Sequence, residues 1–63
     1  MDNIQVQIDV VNASSKEMER TFNRFRALPN DETRRALDTA LNTYETEKAY
    51  LRVLRERKRE AGE

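Results

Sequence analysis

The feature that most constrains this chain is the stretch 31–60, which contains neither glycine nor proline. Within it, Leu37, Leu41 and Tyr44 recur every three or four residues, which is the spacing of one face of a helix. Acidic residues stand at its start, where the helix dipole favours negative charge. We therefore predict one long helix over 31–60.

A shorter helix is predicted over 15–28. Ser14 and Glu17 have the spacing of an N-terminal capping box, and Pro29 would end the helix because proline cannot continue the hydrogen-bond ladder. A connection this short makes two helices antiparallel neighbours, with Asn30 or Asp31 capping the second. The predicted core of this helical hairpin comprises Met18, Phe22, Phe25, Leu37, Leu41 and Tyr44.

The N-terminal segment 3–11 alternates between polar and β-branched apolar residues, which predicts a strand. No second strand candidate follows, and a lone strand leaves its backbone groups unsatisfied. The segment would pair with another copy or with the sheet edge of another protein. Alternatively, it would lie extended along the helices. The predicted fold is mainly α: an N-terminal strand, then an antiparallel helical hairpin with a long, protruding second helix, in one small domain.

Residues 49–54, AYLRVL, are apolar on several sides of the long helix. A first helix of about 21 Å could not cover them on a second helix of about 45 Å. Cover would have to come from the N-terminal strand or from another subunit. The predicted interface residues are Ile4, Val6, Ile8, Tyr50, Leu51, Val53 and Leu54.

The composition restricts the chemistry that the chain can perform. A chain of 63 residues usually needs disulfides, a metal or oligomerisation for stability. It has no cysteine or histidine, which excludes disulfides and the usual zinc, copper and iron–sulfur sites. Its single glycine excludes a glycine-rich phosphate loop. We expect a non-enzyme without metal, cofactor or small-molecule substrate, bound to itself or to a larger protein assembly.

Charge is unevenly distributed along the chain. Residues 1–47 hold six basic and nine acidic residues, a net charge of −3, whereas residues 48–63 hold six and three, giving +3. Candidate contacts to nucleic-acid phosphates in the basic stretch are Arg52, Arg55 and Arg59. No signal peptide or membrane span is recognisable. We expect a cytoplasmic protein, or one within a virion assembled in the cytoplasm.

The predicted order of strand, helix, short turn and helix resembles that of the ribbon–helix–helix repressors, and ALDTALNTYE resembles their second helix. The resemblance implies a dimeric DNA-binding transcriptional regulator whose strands pair across a two-fold axis. Asn3, Gln5, Gln7 and Asp9 would then read bases.

The segments IQVQIDV, MERTFNRFRALP and TRRALDTALN, over residues 4–45, follow an order similar to the beginning of phage tail-completion and minor tail proteins. This resemblance implies a small assembly protein or virion component. The first hypothesis is therefore a structural or assembly protein that forms a homo-oligomer or binds a larger partner. The second is the DNA-binding regulator, and the third is a small inhibitor of a host enzyme.

Overall fold

The computed structural model describes residues 2–62, which form two helices, α1 (Asn3–Ala27) and α2 (Asp31–Gly62). The helices pack as an antiparallel hairpin, which confirms the predicted helical hairpin. The Cα trace extends over 49 × 16 × 12 Å with a radius of gyration of 14.8 Å. A compact domain of this length would have a radius of gyration of about 10.6 Å. The molecule is thus a rod without a globular core.

The predicted N-terminal strand is wrong, because residues 3–11 belong to α1 and residues 2–62 contain no strand. Asp2 caps α1, and its Oδ1 accepts a hydrogen bond from the Ile4 amide at 3.0 Å. A helix satisfies its own backbone, whereas a strand here would need a partner. The Ser14–Glu17 capping box is also wrong, because both residues lie inside α1. The strand that would read bases in a ribbon–helix–helix protein is therefore not formed.

Two inner rows of side chains, one on each helix, form the seam of the hairpin. Their members follow one another at alternating steps of three and four residues, which is the heptad spacing of a coiled coil. All are buried or half-buried, and among the other described residues only Ile8, Val10 and Ser15 are not exposed. The inner rows are Ile4, Gln7, Val11, Ser14, Met18, Thr21 and Phe25 on α1, and Thr33, Leu37, Ala40, Tyr44, Glu47, Leu51 and Leu54 on α2.

The predicted protrusion of the second helix is largely wrong, because α1 begins twelve residues earlier than expected. Its 25 residues span about 37 Å, against about 48 Å for the 32 residues of α2. Leu51 is buried in the seam, and Lys58 Nζ lies 3.7 Å from Asp2 Oδ2. The N-terminal half of α1 thus covers one side of residues 49–54. This segment was one of the two predicted covers, but it is a helix rather than a strand.

The turn is held by a reciprocal cap between Asn30 and Thr33. Asn30 Oδ1 accepts from the Thr33 amide at 2.9 Å, and Thr33 Oγ1 accepts from the Asn30 amide at 3.1 Å. The Thr33 hydroxyl donates to the Leu28 carbonyl at 2.7 Å, and the Leu28 amide bonds to the Arg24 carbonyl. These bonds satisfy backbone groups that both helix ends would leave unpaired. Pro29 stands between the helices, as predicted.

Candidate interaction surfaces

The seam contains little apolar volume. Its most buried apolar residues are Ala40 and Leu51, at 7% and 8% exposure, and three further buried residues, Gln7, Thr21 and Thr33, are polar. No described side chain is less than 2% exposed. The molecule exposes 5221 Å², whereas a compact monomer of 7.5 kDa would expose about 4,200 Å². About 1,000 Å² per chain is therefore in excess of what a compact fold leaves exposed.

One flank of the hairpin is free of charge on α2 from Ala36 to Val53 and on α1 up to Ala13, whereas Glu17, Arg20 and Arg24 occupy the same flank of α1 toward the turn. On each helix, each residue of this flank immediately precedes an inner-row residue in the sequence. Because the two helices are antiparallel, the residues from both helices lie on the same side of the hairpin. Ala13 and Glu17 of α1 line one groove together with Ala36, Thr39 and Thr43 of α2. We call this surface the neutral face; it comprises Val6, Val10, Ala13, Ala36, Thr39, Thr43, Thr46, Tyr50 and Val53.

The large apolar side chains of the neutral face cluster toward the open end of the hairpin. Val6, Tyr50 and Val53 are 42%, 49% and 38% exposed, and Val10 is half-buried. Along α2 the neutral face runs from Ala36 to Val53, a distance of about 26 Å. On α2 this surface is uncharged throughout, and the exposed apolar side chains at its open end are of the kind found at protein–protein contacts.

The opposite flank carries a shorter apolar patch. Phe22 and Leu41, at 47% and 39% exposure, line one groove with Met18 and Leu37. The Arg26 guanidinium lies 5.9 Å from the centre of the Phe22 ring and covers part of it. Four of the six residues predicted as the hairpin core thus lie in this one patch, while Phe25 and Tyr44 are half-buried in the inner rows.

Further along the same flank, α2 presents a row of cations that we call the basic stripe, comprising Lys48, Arg52, Arg55 and Arg59. Their spacing of four, three and four residues places them on one side of the helix, and they line a single groove with Leu51 and Glu56. The three arginines are the basic residues predicted as nucleic-acid contacts. Lys48 had no role in the prediction and lies 5.0 Å from the Tyr44 ring centre.

Gln7 and Glu47 join the two helices inside the seam. Gln7 is 6% exposed, and its side-chain amide donates to the Glu47 carbonyl oxygen at 2.9 Å and to Glu47 Oε1 at 2.8 Å. Gln7 therefore cannot present its amide to a base, contrary to what the resemblance to ribbon–helix–helix repressors implied. Gln5 is exposed, with its amide 3.3 Å from Asp9 Oδ1.

The seven predicted interface residues lie in three different places. Ile4, Leu51 and Leu54 belong to the inner rows, and half-buried Ile8 lies on the flank of the basic stripe. The remaining three, Val6, Tyr50 and Val53, lie on the neutral face. The six other members of that face were missed, namely Val10, Ala13, Ala36, Thr39, Thr43 and Thr46. A heptad register carried through 4–25 would have found them, since each stands beside an inner-row position.

No group of three His, Cys, Asp or Glu side chains within residues 2–62 could hold a metal ion. Neither helix, over the part of the chain that the structure describes, is long and apolar enough to cross a membrane. Comparisons with protein-family models, with curated proteins and with solved structures found no match. The proposals for its function therefore rest on the surfaces and contacts of the hairpin itself.

Proposed function

We propose that this chain is a non-enzymatic assembly protein that associates with a second copy of itself through the neutral face. Two hairpins stacked on these faces would form a four-helix bundle, in which side chains that are half exposed in one copy are buried against the other. The observation that carries the proposal is the combination of a thin, partly polar seam with a flank that is uncharged along α2 and exposes apolar side chains at its open end.

The size of the exposed surface supports a partner of this kind. Each chain exposes about 1,000 Å² more than a compact protein of its mass, and a standard interface covers about 800 Å² on each partner. Burial of one flank in a dimer would remove most of this excess. A chain of this size gains the stability that its own core does not supply when it oligomerises.

The distribution of charge favours the neutral face over the opposite flank. Between Ala36 and Val53, every position of the neutral face on α2 is uncharged. The patch around Phe22 and Leu41 is shorter, and Arg26 partly covers it. A close contact between copies is easiest over the uncharged part of this flank toward the open end, away from Glu17, Arg20 and Arg24, since no ion there has to lose its water.

The experiment compares two substitutions on α2 with nearly equal exposure. Val53 is 38% exposed on the neutral face, and Leu41 is 39% exposed on the opposite flank. We expect the wild-type chain to sediment as a dimer in analytical ultracentrifugation. Val53→Lys should raise the dimer dissociation constant at least about tenfold, because a lysine would be buried without a partner. Leu41→Lys should leave that constant unchanged within about twofold.

Circular dichroism checks that both variants remain helical, and Tyr50→Lys gives an independent test on the same face. A wild-type chain that stays monomeric at every concentration would overturn the proposal. So would a dimer that Leu41→Lys disrupts and Val53→Lys does not, since the contact would then lie on the opposite flank.

A further inference from the structure

We infer that the basic stripe is a binding site for the phosphate backbone of a nucleic acid, separate from the surface used for self-association. On α2, residues of the basic stripe immediately follow inner-row positions in the sequence, whereas residues of the neutral face immediately precede them. The two surfaces therefore lie on opposite flanks of the hairpin. A second copy packed on the neutral face would therefore leave the stripe open to solvent. The inference does not depend on the proposed dimer.

The first support is the local concentration of positive charge. Although the whole chain has no net charge, residues 48–59 contain six basic residues and one acidic residue, Glu56. When Glu60 and the two acids at the same end of α1, Asp2 and Asp9, are added, six basic residues stand against four acidic ones, a net charge of +2. A positive field therefore remains at this end of the hairpin.

The second support is that the three arginines of the stripe are not used inside the molecule, whereas Lys48 Nζ lies 3.9 Å from Glu45 Oε1. Arg52, Arg55 and Arg59 form no ion pair with any residue from 2 to 62. Among the described residues, only Arg20, Lys48 and Lys58 form ion pairs. Arg34 and Arg35 share their groove with two aspartates, whereas the groove of the stripe contains one acidic residue, Glu56. Like charges three and four residues apart on a helix destabilise it, so the stripe costs stability that an anionic ligand would restore.

The geometry of the stripe suits a chain of phosphates. Its four cations extend over about 16 Å, and one strand of a duplex places a charge every 3.4 Å or so along its axis. Guanidinium groups bind phosphate oxygens in pairs. The apolar residue of this groove, Leu51, is buried against α1. A membrane-binding helix would instead expose large apolar residues among its cations, so we favour nucleic acid over an anionic lipid surface.

The test measures fluorescence anisotropy of two labelled probes, a mixed-sequence duplex of about 20 base pairs and a single strand of the same length, from about 50 to 200 mM salt. The full-length chain should bind at least one probe, with an affinity that falls steeply as salt rises. Arg52→Gln/Arg55→Gln should weaken binding on the order of ten- to a hundredfold and reduce the salt slope by about 1.8. The matched control, Arg34→Gln/Arg35→Gln, removes the same charge from the other end of α2 and should change binding less than about threefold.

Every substituted side chain is exposed, and a second pair, Arg55→Gln/Arg59→Gln, replaces the first if that variant loses helicity. Absence of binding to both probes at the lowest salt would overturn the inference, as would an equal loss of affinity in the control pair. Binding to phosphatidylserine vesicles without binding to either nucleic acid would assign the stripe to a lipid surface instead. None of these outcomes changes the ultracentrifugation result, so the two proposals fail independently.

Discussion

The contact between Gln7 and Glu47 gives the sharpest prediction about stability. Gln7 is almost fully buried, and its side-chain amide donates to two oxygens of Glu47, of which only Oε1 belongs to the side chain. A hydrogen bond to a charged group contributes about 1.5–3 kcal/mol. We expect Glu47→Ala to lower the free energy of unfolding by about 1.5–2 kcal/mol, since the amide retains the backbone carbonyl.

Gln7→Ala should cost more, about 2–3 kcal/mol, because it removes both bonds and leaves a gap in the inner row. The Gln7→Ala/Glu47→Ala double variant should cost less than the sum by about 1.5 kcal/mol, the part that the two side chains share. A folded chain of this length has about 3–9 kcal/mol of stability in total. Each substitution should therefore shift the unfolding midpoint clearly.

The assay is urea unfolding followed by circular dichroism, with all variants at one protein concentration because an oligomer unfolds at a concentration-dependent midpoint. Gln5→Ala is the matched control; this glutamine is exposed, and its loss should cost less than about 0.5 kcal/mol. A coupling energy below about 0.3 kcal/mol between Gln7 and Glu47 would refute the reasoning, since the two residues would then be independent.

Two further predictions concern the turn and the seam, and both are checked by the same unfolding measurement. Asn30→Ala should cost about 1 kcal/mol because it removes the cap of α2, whereas Asn42→Ala, exposed within the same helix, should cost nothing; equal effects would contradict the capping role. Leu51→Ala should cost about 2–5 kcal/mol as a buried residue, and Leu28→Ala, at an exposed position in the turn, less than about 0.5 kcal/mol. A small loss for Leu51→Ala would mean that α1 does not cover this part of α2.

The N-terminal segment shows why local patterning misled the prediction. Ile4, Val6, Ile8 and Val10 alternate with polar residues, and β-branched residues in that pattern favour a strand. The same segment also has apolar residues at heptad positions, with Ile4 and Val11 in the inner row of α1. Both periods fit a short segment, so spacing alone cannot separate them. Packing against α2 selects the helix, because a helix places Ile4 and Val11 in the inner row, where both are half-buried.

The prediction nevertheless contained two open requirements that this helix resolves together. The strand needed a partner for its backbone from outside the hairpin, and residues 49–54 needed cover from the strand or from another subunit. When α1 continues to Asn3, its backbone bonds are internal and its inner row reaches Leu51. Only a polar pair, Gln7 with Glu47, interrupts this part of the seam. A contact between Gln7 and Glu47 could not be predicted while residues 3–11 were assigned to a strand.

The sequence by itself determined the parts of this protein that depend on local chemistry. Pro29 ends one helix, Asn30 or Asp31 caps the next, and the absence of glycine and proline from 31–60 allows a single long α2. The missing cysteine and histidine likewise limit the available chemistry without reference to any fold. Each of these follows from bonds within a few residues or from composition.

Only the tertiary structure decided the conformation of residues 3–11 and the two flanks of the hairpin. The sequence alone sets which side of a helix is apolar and which side is charged. Which of these sides remains exposed depends on where the other helix packs. Once the inner rows meet, the uncharged residues before them form the neutral face, and Lys48, Arg52 and Arg55, which follow them on α2, form the basic stripe together with Arg59. Val53 and Leu51, equally apolar and two residues apart, thus take different roles because only one of them faces α1.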